Sequence, residues 1–104
     1  MDIYEKTAQH LIDNGWIKGQ TKDKDGQCCL IGALQQVVGY KNSLRDRSLP
    51  REVAMELFPE RTKGVDKPDM ASTHGNLVQF NDHPDTVLAD ILIILQESSK
   101  RSKA

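Results

Sequence analysis

The segment DGQCCLIGAL, residues 25–34, marks the point at which an irregular connection gives way to a helix. Its Asp-Gly pair is typical of a two-residue hairpin turn, because glycine readily adopts a left-handed backbone. Over residues 29–38 apolar side chains recur at helical spacing and surround most of the circumference. Glycine inside a helix costs up to ~1 kcal/mol against alanine, so Gly32 indicates the close approach of another backbone. We predict that this is the central helix of the fold.

A second strong signal lies at the N-terminus, where Asp2 and Glu5 have the spacing of a capping box. Apolar residues then share one face until an Asn-Gly pair at positions 14–15, which is typical of a helix end. We interpret Trp16 as a core anchor that folds back on this helix, with a stacking platform for a ligand as the alternative. Residues 16–29 are too polar to predict a sheet, so we expect a short β-ribbon or an ordered loop.

The middle of the chain alternates polar connections with short apolar segments. We predict a polar loop over residues 40–48, a helix with Pro50 in its first turn that stops at Pro59, and a mobile loop over residues 60–72. Residues 77–80 are too few for periodicity to distinguish a short helix from a strand.

The last apolar segment predicts a helix that begins at Asp85 or Thr86 and packs against the first two helices. Residues 99–104 are predicted to be a basic, flexible tail. We therefore expect a mainly α, compact single-domain bundle of about four to five helices over residues 1–98. One short β-ribbon between the first two helices is compatible with this fold, and residues 77–80 stay open between helix and strand.

Size and composition exclude several classes of protein. A chain of 104 residues suits one domain, and 38% hydrophobic residues in periodic clusters argue against disorder. A net charge of -1 argues against a general nucleic-acid binder. No apolar run approaches the ~20 residues of a membrane-spanning helix. Because the N-terminal residues do not resemble a signal peptide, we expect a cytoplasmic protein with reduced cysteines.

The adjacent cysteines suggest covalent chemistry. Cys28 lies just before the N-terminus of the central helix, whose dipole favours a thiolate. Either His74 or His83 could act as its base, with Asp82 beside them, and this chain order resembles that of papain-like hydrolases. Against this, no sheet is predicted to carry the histidine, and cysteine in an apolar run is commonly a small buried hydrophobe. A cysteine-dependent hydrolase or transferase is the alternative function.

Other kinds of site receive less support from the sequence. Structural zinc sites favour pairs of ligands about two to four residues apart, which adjacent cysteines do not match, so we predict no metal and no cofactor. Lys41, Arg45 and Arg47 could contact a phosphate or an acidic partner, although exposed charges usually face water. Together with Trp16 they are the candidate binding residues. The Asn-Asp pair at positions 81–82 is interpreted as turn chemistry that caps its flanking helices.

These motifs as a set resemble a known group of proteins. Asn-Gly-Trp at positions 14–16, DGQCCLIGAL, and Phe-Asn-Asp at positions 80–82 are similar to a family of small actinobacterial and phage proteins with no established activity. The resemblance covers most of the chain except residues 40–72. It implies a mobile-element origin, which fits a protein that binds a host component. We therefore expect a small accessory or regulatory protein that binds a protein partner or small ligand. Nucleic acid and membrane are disfavoured, and the oligomeric state is open.

Overall fold

The computed structural model describes residues 1–63 and 70–104, and the side chains of all of these except residues 70–75. The predicted mainly α fold is confirmed. The described residues form six α-helices and one 3-10 turn: α1 Ile3–Asn14, α2 Leu30–Val38, α3 Tyr40–Asp46, α4 Ser48–Leu57, the turn Pro59–Arg61, α5 Met70–Asp82 and α6 Leu88–Ser102. In place of the expected ribbon, this part of the chain has only isolated β-bridges, which join Cys28 to Trp16 and to Lys22.

Helix α1 begins and ends as predicted. The Asp2 carboxylate accepts hydrogen bonds from the backbone N–H groups of Tyr4 and Glu5, and the Glu5 carboxylate accepts from Asp2 N at 3.2 Å. At the other end Gly15 has a φ of 98°, and its N–H donates to Leu11 O. Because a side chain at that φ is strained, the glycine ends the helix.

Helix α2 occupies the position expected of the central helix, because it packs against α1, α3 and α5. Its first five residues are all buried. The prediction for Gly32 is confirmed, since a Cβ at this position would overlap the backbone carbonyl of Thr21. The missing side chain therefore lets the segment that precedes α2 lie directly on the helix.

The expected polar loop over residues 40–48 is wrong, because residues 40–46 form α3 and α4 begins at Ser48. The face that α3 buries is polar: Ser43 is 0% exposed, and Arg47 just beyond the helix is 2% exposed. The Ser43 hydroxyl donates to Tyr40 O at 2.6 Å. Apolar periodicity could not indicate a helix whose buried contacts are made by a serine and an arginine.

Residues 77–80 belong to a helix, which answers the question that periodicity left open. Leu77 and Phe80 on α5 are fully buried, and the Phe80 ring lies 5.1 Å from that of Phe58. Helix α5 already begins at Met70, so the end of the expected mobile loop over residues 60–72 is helical. Residues 64–69 of that prediction lie outside the described residues.

Helix α6 begins later and ends later than expected. Its N-cap is Val87, whose N–H donates to the Asp90 carboxylate at 3.1 Å, rather than Asp85 or Thr86. Residues 99–102, expected within a flexible tail, continue the helix, and Ser99 is buried with its hydroxyl donating to the Asp2 carboxylate. This contact docks the end of α6 on the start of α1. None of the described helices is long and apolar enough to cross a membrane.

Candidate functional site

Residues 15–29, which we name the connecting loop, join α1 to α2 with little regular secondary structure. The loop folds back on itself through its backbone. Cys28 N donates to Gly15 O at 3.1 Å, and Cys29 N donates to Thr21 O at 3.1 Å. The end of the loop is therefore bound to both its start and its middle, directly before α2.

Asn81 in the last turn of α5 holds this loop against the helices. Its Oδ1 accepts from Trp16 Nε1 at 2.7 Å and from Leu30 N at 3.0 Å. Its Nδ2 donates to Ile17 O at 3.1 Å and to Asp82 Oδ1 at 2.9 Å. Both lone pairs and both N–H groups of the carboxamide are thus used. Since Leu30 is the first residue of α2, Asn81 supplies a remote cap for that helix, rather than capping its chain neighbours as the sequence suggested.

A cavity of about 190 Å³ lies beside this network, between the connecting loop, α2 and α5. Its lining combines apolar side chains with a carboxylate, a thiol, a hydroxyl and two amides: Gly19, Gln20, Thr21, Cys29, Ile31, Leu77, Val78, Asn81 and Asp82. An apolar cavity of ~150 Å³ holds one benzene molecule. The cavity therefore has room for one ring or one branched side chain.

Asp82 contributes the carboxylate of the cavity. Its Oδ1 accepts from Gly19 N at 2.9 Å and from Asn81, so one oxygen is held by the protein. In the described part of the chain no cation lies within salt-bridge distance of Asp82. The nearby Lys18 ammonium instead donates to His83 O at 2.6 Å and lies 5.5 Å from the centre of the Trp16 ring.

Cys29 lines the same cavity as a neutral thiol. It is the N-cap of α2, and its Sγ accepts from Gly32 N at 3.3 Å. Burial raises the pKa of the Cys29 thiol, and the N–H groups of Gly32 and Ile31 only partly offset this effect. The helix N-terminus therefore does not produce the thiolate that the sequence position suggested.

Cys28 lies outside the cavity lining and is 0% exposed. Its Sγ is 3.8 Å from Nε2 of His10, a residue that sequence reasoning did not select. Asn14 Nδ2 lies 3.4 Å from His10 Nδ1 and donates to His10 O at 3.0 Å. Burial raises the pKa of Cys28, so this Cys–His–Asn arrangement lacks a thiolate and an open approach.

Of the two histidines selected from the sequence, His83 does not join this arrangement. His83 Nδ1 accepts from Asp85 N at 3.1 Å, and the ring makes no hydrogen bond to either thiol. His74 lies within α5, and its side chain is outside the description. Only the backbone fold of the connecting loop along α1 brings His10 to Cys28, so no local sequence signal could have identified it.

The candidate binding residues lie in different environments. The expected exposure of Arg47 is wrong, because the side chain is buried and donates to Ser43 O at 3.0 Å and Ser43 Oγ at 3.1 Å. Lys41 and Arg45 are exposed on α3, away from the cavity lining. Trp16 is partly buried against the core, which favours its interpretation as an anchor.

Comparison with known proteins places the chain in a family without adding an activity. No curated protein and no solved structure matches the chain. Residues 1–101 match a family of unknown function, DUF6197. This agrees with the resemblance to a family of no established activity, while the actinobacterial or phage origin stays a prediction. Because the match spans nearly the whole chain, the protein belongs to the DUF6197 family of unknown function.

Proposed function

We propose that this protein is a small cytoplasmic accessory or regulatory protein that acts by binding, with the cavity beside Asn81 as its recognition site. The observation that carries the proposal is the cavity itself, whose lining combines apolar side chains with one carboxylate. Ligand sites in proteins typically combine an apolar lining with a few placed polar groups. The predicted mobile-element origin supports a role in which such a protein acts on a host component.

The size of the cavity limits its occupant. Pockets for drug-sized ligands measure roughly 300–1,000 Å³, whereas this cavity measures about 190 Å³. A nucleotide or an extended peptide is too large to be enclosed. The proposed occupant is a small molecule with a single ring or branched group, or one side chain of a protein partner.

Binding is favoured over the alternative of a cysteine-dependent hydrolase or transferase. The alternative draws its support from the 3.8 Å approach of Cys28 Sγ to His10 Nε2. However, Cys28 is 0% exposed and does not line the cavity, so a substrate in the cavity would not reach this thiol. Cys29 does line the cavity, but burial raises its pKa, and a protonated thiol is a weak nucleophile.

The proposal is tested with small aromatic probes and two matched valine variants. Val78 lines the cavity, whereas Val87 is 55% exposed and lies outside the lining. Benzene, benzyl alcohol and benzylamine are titrated while ¹H–¹⁵N spectra of the protein are recorded. We expect at least one probe to shift the amide signals of residues 19–21 and 29–31. Val78→Phe should abolish these shifts, because its ring fills the cavity, and Val87→Phe should preserve them.

Two results would contradict the proposed site. One is the absence of any shift at these amides with all three probes at millimolar concentration. The other is an equal response of the wild-type protein and Val78→Phe, provided that both have the same helical circular dichroism spectrum. Either result would remove the cavity as a recognition site and leave the exposed surface of α3 as the next candidate.

A further inference from the structure

We infer that the occupant of the cavity carries a protonated amine, which Asp82 binds through its second carboxylate oxygen. This inference rests on the proposed binding function of the cavity. The ligand class is an apolar group of about one ring that bears an ammonium, either as a free small amine or as an amine-bearing side chain of a partner.

The Asp82 carboxylate is already positioned for a ligand. Gly19 N donates to its Oδ1 at 2.9 Å from the connecting loop, and Asn81 Nδ2 donates to the same atom at 2.9 Å from α5. Asn81 is itself 2% exposed and both polar atoms of its carboxamide are hydrogen-bonded, so this support is rigid. The second oxygen of Asp82 accepts no hydrogen bond from the described residues. A fixed acceptor loses little entropy when a donor arrives.

The charge of Asp82 has no partner in the described structure. The carboxylate of Asp90, by contrast, pairs with Arg61 at 2.9 Å. Lys18 directly precedes Gly19 of the cavity lining, but its ammonium donates a hydrogen bond to His83 O. A carboxylate that is partly buried and unpaired favours an incoming cation, because a charge-assisted hydrogen bond is stronger where water is partly excluded.

The other described polar groups on the cavity wall carry no charge. The Asn81 carboxamide has no free donor or acceptor, and Cys29 is a neutral thiol whose Sγ already accepts from Gly32 N. Gln20 and Thr21 are uncharged. Among the described residues that line the cavity, Asp82 is therefore the only charged one. An anionic ligand would meet a like charge, and a neutral donor would make a hydrogen bond to the carboxylate without the attraction of opposite charges that an ammonium adds.

The inference is tested by the ratio of two dissociation constants. Benzylamine, protonated at about pH 7, and benzyl alcohol are nearly isosteric and differ in the charge that Asp82 would bind. Binding is followed by ¹H–¹⁵N shifts and by the fluorescence of Trp16, whose Nε1 donates to the cavity residue Asn81. We expect benzylammonium to bind roughly tenfold to a hundredfold more tightly than benzyl alcohol. Asp82→Asn should remove this preference, and Asp25→Asn, at an exposed turn, should retain it.

The outcomes separate the inference from the proposed function. If both probes bind equally to the wild-type protein and Val78→Phe blocks both, the ammonium inference is overturned and the cavity remains a binding site. If neither probe binds, both proposals fail. The wild-type comparison needs no variant to fold, so a defective Asp82→Asn protein would not prevent a decision. A third probe, Nα-acetyl-lysine methylamide, distinguishes the two possible origins of the ammonium. If it binds more tightly than benzylammonium, the occupant is a lysine side chain of a partner. If it binds more weakly, the occupant is a free small amine.

Discussion

Replacing Gly32 with alanine tests the packing on which the cavity depends. A Cβ at this position of α2 would overlap the carbonyl oxygen of Thr21. The same carbonyl accepts from Cys29 N at 3.1 Å, and Thr21 and Cys29 both line the cavity. The alanine methyl group can therefore be accommodated only if the connecting loop moves away from α2, and that movement changes the cavity wall.

The magnitude follows from three opposing contributions. Alanine in a helix is favoured over glycine by about 0.5–1 kcal/mol. Overpacking of a closely packed site costs about 1–3 kcal/mol, and loss of the Cys29–Thr21 hydrogen bond costs about 1 kcal/mol. The net effect of Gly32→Ala is a loss of roughly 1–3 kcal/mol in the free energy of unfolding. For a domain of this size, that loss lowers Tm by roughly 5–20 °C.

Urea and thermal unfolding measure this loss, and Gln36 in the same helix provides the control. Gln36 is exposed, so Gln36→Ala and Gln36→Gly compare the same two residues without a neighbouring carbonyl. There alanine should be the more stable variant by about 0.5–1 kcal/mol. A Gly32→Ala protein as stable as the wild type, with unchanged amide shifts at residues 19–21, would refute the close contact and the cavity geometry derived from it.

Three other measurements follow from the described contacts. Asn81→Leu removes the hydrogen-bond partner of several buried donors and acceptors. Urea unfolding should therefore show a loss of at least ~2 kcal/mol in the free energy of unfolding, and the tryptophan fluorescence should shift to the red. Burial raises the pKa of Cys28 and Cys29, so both thiols should be alkylated slowly in the native protein even at about pH 8, and rapidly once it is unfolded. Mass spectrometry reads each site separately. Fast labelling of either thiol in the native protein would support the catalytic hypothesis instead. Arg47→Ala should lower the free energy of unfolding by at least ~2 kcal/mol because it removes buried hydrogen bonds, whereas Arg45→Ala, at a side chain 76% exposed, should leave it unchanged within about 0.5 kcal/mol.

The parts of the fold that the sequence predicted are those with local causes. The capping box of α1 lies within four residues, and Gly15 ends that helix through its own backbone conformation. Gly32 was informative for a similar reason, because a glycine in an otherwise favourable helix has a cost that only a close neighbour explains. Each of these signals can be interpreted without knowing the rest of the structure.

The parts that it did not predict depend on polar contacts between distant residues. Helix α3 was missed because Ser43 and Arg47 make its buried contacts, and neither contributes to an apolar pattern. The end of α6 was missed because Ser99 is buried through a hydrogen bond to Asp2, which is 97 residues away. Sequence patterns indicate which residues prefer to leave water, but they do not indicate which polar groups find partners inside the fold.

The candidate site depends most strongly on polar contacts between distant residues. The same contacts link occupancy of the cavity to the rest of the protein. Asn81 reaches Leu30, 51 residues away, and Trp16, 65 residues away. One carboxamide therefore joins the start of α2, the connecting loop and α5 beside the cavity. An occupant bound to Asp82 would contact the same three elements and would favour the conformation in which they are joined. Binding would then stabilise the fold in proportion to RT ln(1 + [L]/Kd). Under the proposed function, ligand binding would in this way change the stability of the surface that the connecting loop presents.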